Sequence, residues 1–391
     1  MSNNKQNWNK VEEKFSRKTG LPFSEVLSQE DISKILEENK VTYRKRVFSP
    51  IIVIWAFLSQ VLDGDITCRK VAARVLAFLV YEGEAIYSVT ASGYCQAKQR
   101  LKTSVLAALV HKTGKETSEL AKPEHLWHGR RVKTFDGSTL LMQDTEANQA
   151  KYPKWCNQKA TCGFPIARWA VLFCLATGTV LEMCLAPMKV SERVMFRRFY
   201  KLFSPGDIAL ADRGGCSFYD MAMLTLIQVD GVFRMHASRK VNFNDGIILG
   251  DHDHIVAWNK PPFDKKHQAL TRAEYDKLPP RVWVRELEVT VEYPGFRTKK
   301  IIIATTLNDP VSYPKQELAN LYLRRWEAEL NLRHLKTTLK MEMFKSQTPE
   351  MFEKEVWAHL LVYNLIRRIM WKATTTHNVP PLRISFKGSL D

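Results

Sequence analysis

Apolar residues recur at helical spacing through the first third of the chain. Ser28-Gln-Glu-Asp31 reads as a helix start with an acidic first turn, and Ile32, Ile35 and Leu36 follow on one face. Pro50 to Leu62 is the most apolar early run. It is shorter than the roughly 20 residues that span a bilayer, so it predicts a buried helix and not a membrane segment. A third helix is predicted over about 66–80, with Arg69, Lys70 and Arg74 among Val71, Val75 and Leu76. After Gly83 and a β-rich stretch, Ser92-Gly93 opens another basic helix carrying Lys98, Arg100 and Lys102. Two basic helices with a connector fit a DNA-reading unit. They fit a plain helical bundle with solvated cations equally well, and the residues alone do not separate the two.

From about residue 130 the period shortens to two. Val132, Thr134 and Asp136 face one way along a strand. Asp136-Gly137 is a hairpin signal, with Ser138 to Met142 returning as the next strand. Residues 166–188 hold two apolar runs around Ala176-Thr-Gly-Thr179, a second hairpin. A basic helix over Ser191 to Phe203 precedes a short buried strand from Asp207 to Asp212 and the loop Arg213-Gly214-Gly215. An apolar helix (Phe218 to Val229) and a strand (Gly231 to Ala237) follow. Further strands are predicted at Val282 to Tyr293 and Lys300 to Thr306. Long helices close the chain at about 315–340 and 350–372. The alternation predicts a mixed α/β core carrying a β-rich insertion at about 240–305.

The 391 residues suit two or three domains, and 45% hydrophobic with 25% charged residues is an ordinary globular balance. Lys and Arg outnumber Asp and Glu by 58 to 41, a net charge of +17. That surplus points to a polyanion, most commonly nucleic acid, although a ribosome-associated or membrane-surface protein would share it. MSNNKQNWNK at the start has neither the apolar stretch nor the cleavage site of a secretory signal. None of the seven cysteines forms a C-x-x-C pair, which fits a reducing compartment and no structural zinc. Asp251-His252-Asp253-His254 reads as a turn after Gly250, because no third and fourth metal ligand lies nearby.

The helix around residues 322–336 carries the chemistry. Tyr322, Arg325, Glu329 and Lys336 fall at about 0°, 300°, 340° and 320° on a helical wheel, beside an apolar stripe of Leu321, Ala328, Leu332, Leu335 and Leu339. Glu327 points about 160° away from Glu329. An i, i+4 pair such as Arg325–Glu329 also suits a salt-bridged surface helix.

The same spacing resembles the Y-(2)-R-(3)-E-(6)-K signature of the insertion-sequence-four family of bacterial transposases, and Tyr322-Leu-Arg-Arg-Trp326-Glu-Ala-Glu329 resembles that family's wording here. The family has two earlier Asp residues at strand ends. Phe135-Asp136-Gly137-Ser138 and Leu210-Ala211-Asp212-Arg213-Gly214 resemble those sites. Asp65-Ile-Thr-Cys-Arg69 and Ser92-Gly-Tyr-Cys-Gln-Ala-Lys-Gln-Arg100 resemble its N-terminal region, and the likeness covers about residues 45–375. By residues alone, Asp144, Asp207 and Asp220 compete with Asp136 and Asp212.

The resemblance implies a ribonuclease H-like catalytic core over 125–345, a helical DNA-binding region over 1–120 and a C-terminal helical segment over 346–391. It implies Asp136, Asp212 and Glu329 as catalytic, metal-binding carboxylates for two Mg²⁺ ions, with Mn²⁺ as a substitute. Tyr322, Arg325, Lys336 and Arg213 would contact DNA. Trp258, Trp283 and Trp326 are candidates to stack on a flipped base, each against ordinary packing. The implied partners are the element's terminal inverted repeats, target DNA and a second copy of the chain, with no membrane. The implied place is the bacterial cytoplasm, at the nucleoid. The implied reaction is end cleavage and 3′-end joining. The alternatives are a DNA-binding relic without catalysis and a nuclease without strand transfer. Family members continue past a Ser-Phe-Lys stretch like Ser385-Phe-Lys387, so the resemblance also implies a shortened copy.

Overall fold

The computed structural model describes residues 23, 26–44, 46–64, 67–81, 83, 90–154, 163–264, 270–291, 299–377 and 384–390. The β-rich stretch after Gly83, Asp65-Ile66, Cys156, Cys162 and the end of the strand expected to reach Tyr293 lie outside these residues. The compact units are not contiguous in sequence. One comprises Ser118–Thr139 and Ala167–Leu332; the other comprises Met1–Thr117, Leu140–Ile166 and Arg333–Asp391.

The second of these units is mainly helical. It contains α1 (Gln29–Glu38), α2 (Pro50–Leu62), α3 (Cys68–Tyr81), α4 (Ala91–Arg100), α5 (Thr103–Glu119), the short α6 (Glu146–Lys151) and α12 (Pro349–His377). The predicted capping box forms at α1, where Ser28 and Asp31 satisfy each other's backbone N–H. Pro50 occupies the first turn of α2 behind the N-cap Ser49, and nearly every α2 residue is buried, as its unbroken apolar run requires. Among the described residues no helix is long and apolar enough to cross a membrane.

The other unit is built on strands β1 (Val132–Met142), β2 (Ile166–Cys174), β3 (Val180–Pro187), β4 (Ile208–Ala211), β5 (Asp230–Arg234), β6 (Ile247–Gly250), β7 (Asp253–Asn259), β8 (Arg281–Val291) and β9 (Lys299–Thr305). Their order is β3-β2-β1-β4-β5-β9-β8-β7-β6. β2 and β3 are antiparallel, while β1, β4 and β5 are parallel. That five-strand arrangement is the ribonuclease H-like core. The expected insertion extends the sheet edge to edge, with β9 antiparallel to β5 and β8, β7 and β6 following in turn.

The two faces of β4 show how the core is filled. Ala209 and Ala211 join Phe135, Phe196, Phe199, Met221 and Phe233 on one face, under α7 (Glu192–Arg197) and α8 (Phe218–Leu226). Ile208 and Leu210 join Val132, Val232, Leu318 and Leu321 on the other, under α10 (Lys315–Leu323). A strand covered on both sides reads as a continuous apolar run, which is why Ile-Ala-Leu-Ala shows no alternation. Between these helices lies the short α9 (Arg272–Asp276), and α11 (Trp326–Arg333) follows α10.

Two local expectations change. Asp136-Gly137 makes no hairpin: β1 runs unbroken to Met142, and Gly137 does not adopt a positive φ. A Cβ there would lie 3.4 Å from the Trp169 carbonyl, in ordinary contact. The second hairpin forms as read, with Gly178 at φ 70° turning β2 into β3. The helix expected over 315–340 is interrupted. α10 caps at Arg324, α11 begins at Trp326, and His334–Thr338 is a π-helical turn.

Candidate active site

The register of β1 on β4 places the first two candidate carboxylates. The strands pair in parallel at Val132↔Ile208, Lys133↔Ala209 and Thr134↔Leu210. Carried on by two residues, that register brings Asp136 level with Asp212, one residue past the end of β4, on neighbouring strands spaced about 4.8 Å apart. Their parity with Val132 and Ile208 turns both toward the face covered by α10. Asp136 sits within β1, and Asp212 immediately follows the last residue of β4.

α10 and α11 bring the rest over that face. Tyr322 is 4% exposed, and its hydroxyl donates to Asp212 Oδ1 at 3.2 Å. Arg325 is 7% exposed and donates to Glu329 Oε1 at 2.6 Å. Burial works against the Arg325 charge, but Tyr322, Glu329 and Asp212 outweigh it and hold the guanidinium's pKa above its ordinary range. Burial pushes the Asp136 carboxyl up to about 6. The Gly137 N–H, donating at 2.8 Å, and Arg325 pull it down, while Glu329 and Glu192 push it further up. Arg325 is therefore the common cationic neighbour of Asp136, Asp212 and Glu329. Among the described residues no three carboxylate, His or Cys side chains are gathered closely enough to enclose a metal ion.

The competing carboxylates have structural partners. Asp207 is buried against Lys133 at 2.6 Å, Asp144 pairs with Lys154 at 2.7 Å, and Asp220 is fully buried under Arg197 and Tyr200, each at 2.8 Å. Glu327 pairs with Arg324 at 3.0 Å instead of joining the site.

One carboxylate was missed in the sequence. Glu192, at the start of α7, reaches within 3.5 Å of where a Cβ on Gly137 would lie and 3.8 Å of one on Gly214. It spans the residues beside Asp136 and Asp212, and pairs with Arg168 of β2 at 2.9 Å. Nothing in the run Ser191-Glu-Arg-Val marks it. A usable signal was the pair of glycines after the two Asp residues, whose missing side chains leave room for a neighbour.

Other expected residues stand in turns or in packing. Arg213 is exposed in the turn after Asp212. Lys336 lies in the π-helical turn, within the other compact unit. A π turn does not follow 100° steps, so the wheel angle assigned to Lys336 does not apply. Trp258 is 3% exposed, donates to Glu286 at 2.6 Å and lies 3.6 Å under the Arg239 guanidinium. These contacts account for it as packing. Trp283 is 48% exposed and Trp326 half-buried. Asp253 and His254 are buried in β7 against Arg285 and Glu286, and only Asp251 and His252 form the turn read there.

A curated relative, the transposase InsG of insertion sequence element IS4 from Escherichia coli K12, is 27% identical over 373 residues, covering 93% of this chain and 80% of that one. A cryo-EM structure of the piggyBac transposase synaptic complex with hairpin DNA aligns over 94% of this chain and 77% of that one, at 8% identity and a TM-score of 0.47. The family model of the transposase DDE domain matches residues 127–365, more than half of the chain and all of β1, β4, α10 and α11. The chain belongs to the DDE transposase family.

Proposed function

We propose that Asp136, Asp212 and Glu329 are the catalytic carboxylates of this transposase, cutting DNA at the ends of its own element and joining the 3′ ends to target DNA. The observation that carries this reading is the β1–β4 register, which supports two level Asp residues beneath α10 and α11, with Arg325 at the junction of those helices and Glu329 on α11. The donor set fits a hard divalent cation. It is all carboxylate oxygen, and Asp136 is a buried acid short of compensating positive charge. Asp136, Asp212 and Glu329 would hold Mg²⁺, or Mn²⁺ in its place. When bound, a pair of such ions supplies charge neutralisation at the transferred phosphoryl group and an activated oxygen nucleophile.

The chain's own residues do the rest. Tyr322 donates to one oxygen of Asp212 and so holds that carboxylate in place. Arg325 orients Glu329 and offers a planar guanidinium that suits a phosphate. Arg213 and Lys336 are assigned to DNA phosphates, and residues 1–120 to the element's terminal inverted repeats. Residues 125–345 form the catalytic region and 346–391 a helical segment. Cutting both ends in concert calls for a homodimer on DNA, acting at the nucleoid of the bacterial cytoplasm.

The test is purified chain, Mg²⁺, an end-containing duplex and a labelled target duplex. Cleavage followed by joining to the target is expected. Cleavage without joining would make the chain a nuclease, and binding without cleavage would make it a relic.

A further inference from the structure

The mainly helical unit contains a cavity of about 320 Å³ lined by Val41, Thr42, Tyr43, Arg44, Arg46, Phe48, Pro50, Val53, Ala97, Arg100 and Leu101. Its floor is apolar: Val53 and Leu101 are buried, and Phe48 is fixed against Tyr94, ring centroids 5.7 Å apart. Its rim is cationic. Arg44, Arg46 and Arg100 are all exposed, and none pairs with a described carboxylate.

Three other basic residues of this unit are committed to partners within the protein. Arg74 pairs with Asp63. Lys98 is buried against Glu355 at 3.1 Å and lies over Phe57. Lys102 donates to the carbonyls of Asn39 and Lys40. Three of the cations expected to read DNA are thus engaged within the protein. Arg100 is left at the cavity, joined by two arginines from the preceding Tyr43-Arg44-Lys45-Arg46 run, which carries no helical periodicity. Three like charges around one hollow repel each other, and an anion relieves that repulsion. A duplex backbone needs only surface cations. A hollow with aromatic walls under an arginine rim suits a nucleotide whose base is unstacked, as in single-stranded DNA.

We propose that this cavity binds single-stranded or frayed DNA, with backbone phosphates on Arg44, Arg46 and Arg100 and a base against Tyr43 and Phe48. The proposal rests on the transposase reading for its partner, but not on the carboxylate assignment. Arg44, Arg46, Arg100 and Tyr43 are all exposed, so variants at these positions should fold.

The experiment uses the full chain without divalent metal and follows the anisotropy of labelled oligothymidylate, and of a duplex of the same length, across a salt series. Arg44→Ala/Arg46→Ala should lower the salt slope on oligothymidylate by about 0.7 for each lost phosphate contact. Arg100→Ala should lower it by one further contact. Tyr43→Ala should weaken oligothymidylate roughly tenfold with the slope unchanged, and weaken the duplex much less. Unchanged slopes in the arginine variants, or equal loss on both DNAs in Tyr43→Ala, would overturn the proposal. Asp136→Asn separates the two readings. Cavity variants that bind normally beside an Asp136→Asn protein that cannot cut would sink the cavity alone. An Asp136→Asn protein that still cuts, beside cavity variants that bind poorly, would sink the carboxylate assignment alone.

Discussion

Replacing Asp136 by Asn should stabilise the protein while abolishing cleavage. The Asp136 carboxyl rises from 3.8 to about 6 on folding, chiefly through burial. A raised acid destabilises the fold once it ionises. Between the two pKa values the unfolded chain has lost its proton and the folded one has not, so stability falls as pH rises through that window and is flat above it. The shift of about two units corresponds to roughly 3 kcal/mol lost by the wild type above pH 6. Asn is nearly isosteric, and its Oδ1 can still accept the Gly137 N–H. Its new N–H groups find an environment built for an anion, which takes back about 1 kcal/mol. A net gain of about 2 kcal/mol is expected at pH 8; at pH 5, where about half of the penalty remains before the same offset, the gain falls to about 0.6 kcal/mol. The assay is urea denaturation of both proteins in chelator at the two pH values, with end cleavage in Mg²⁺ measured in parallel. A variant no more stable than wild type at pH 8, or a gain that does not shrink at pH 5, would refute the reasoning.

Three further outcomes are expected. Glu329→Gln should lose end cleavage by orders of magnitude in a gel assay while retaining end binding, and Glu327→Gln, whose partner is Arg324, should cut within a few fold of wild type. Glu192→Gln should fold normally by circular dichroism but cut more slowly, roughly tenfold, because it changes the charge beside Asp136 without removing a carboxylate from the strand pair; wild-type rates would make Glu192 a mere partner of Arg168. Asp253→Ala should cost about 3–5 kcal/mol in a denaturation midpoint, since it strands Arg285, 1% exposed, without its carboxylate at 2.6 Å.

Much of this was legible in the residues. The buried run of α2, the hairpin of β2 and β3 and the short strand before Asp212 follow from apolar periodicity, and they stand where the pattern put them. Tyr322 reaches Asp212 and Arg325 reaches Glu329, although the helix that was to align them breaks between Leu323 and Trp326. The rest depended on partners that a linear pattern does not contain. Gly137 looked like a turn because Asp-Gly usually makes one, yet it lies inside β1, a strand held in the sheet by its pairing with the distant β4. The break after Arg324 and the π turn at His334 carry no proline or glycine, so nothing local announced them. Glu192 acquires its place only when α7 packs over two strand ends distant in sequence.

The way β9 closes against β5 also sets an order of events during synthesis. The five strands β3-β2-β1-β4-β5 are complete once Arg234 has emerged, but the strand that covers the outer edge of β5 ends at Thr305. At about 5–20 residues per second, the roughly 70 intervening residues take about 4–14 s to make. Throughout that interval β5 presents an unpaired row of N–H and C=O groups, a template for another nascent chain. The inserted strands thus act as the sheet's own seal. Shortening this protein by excising residues 240–305 would leave the β5 edge open permanently, and the product should collect in inclusion bodies.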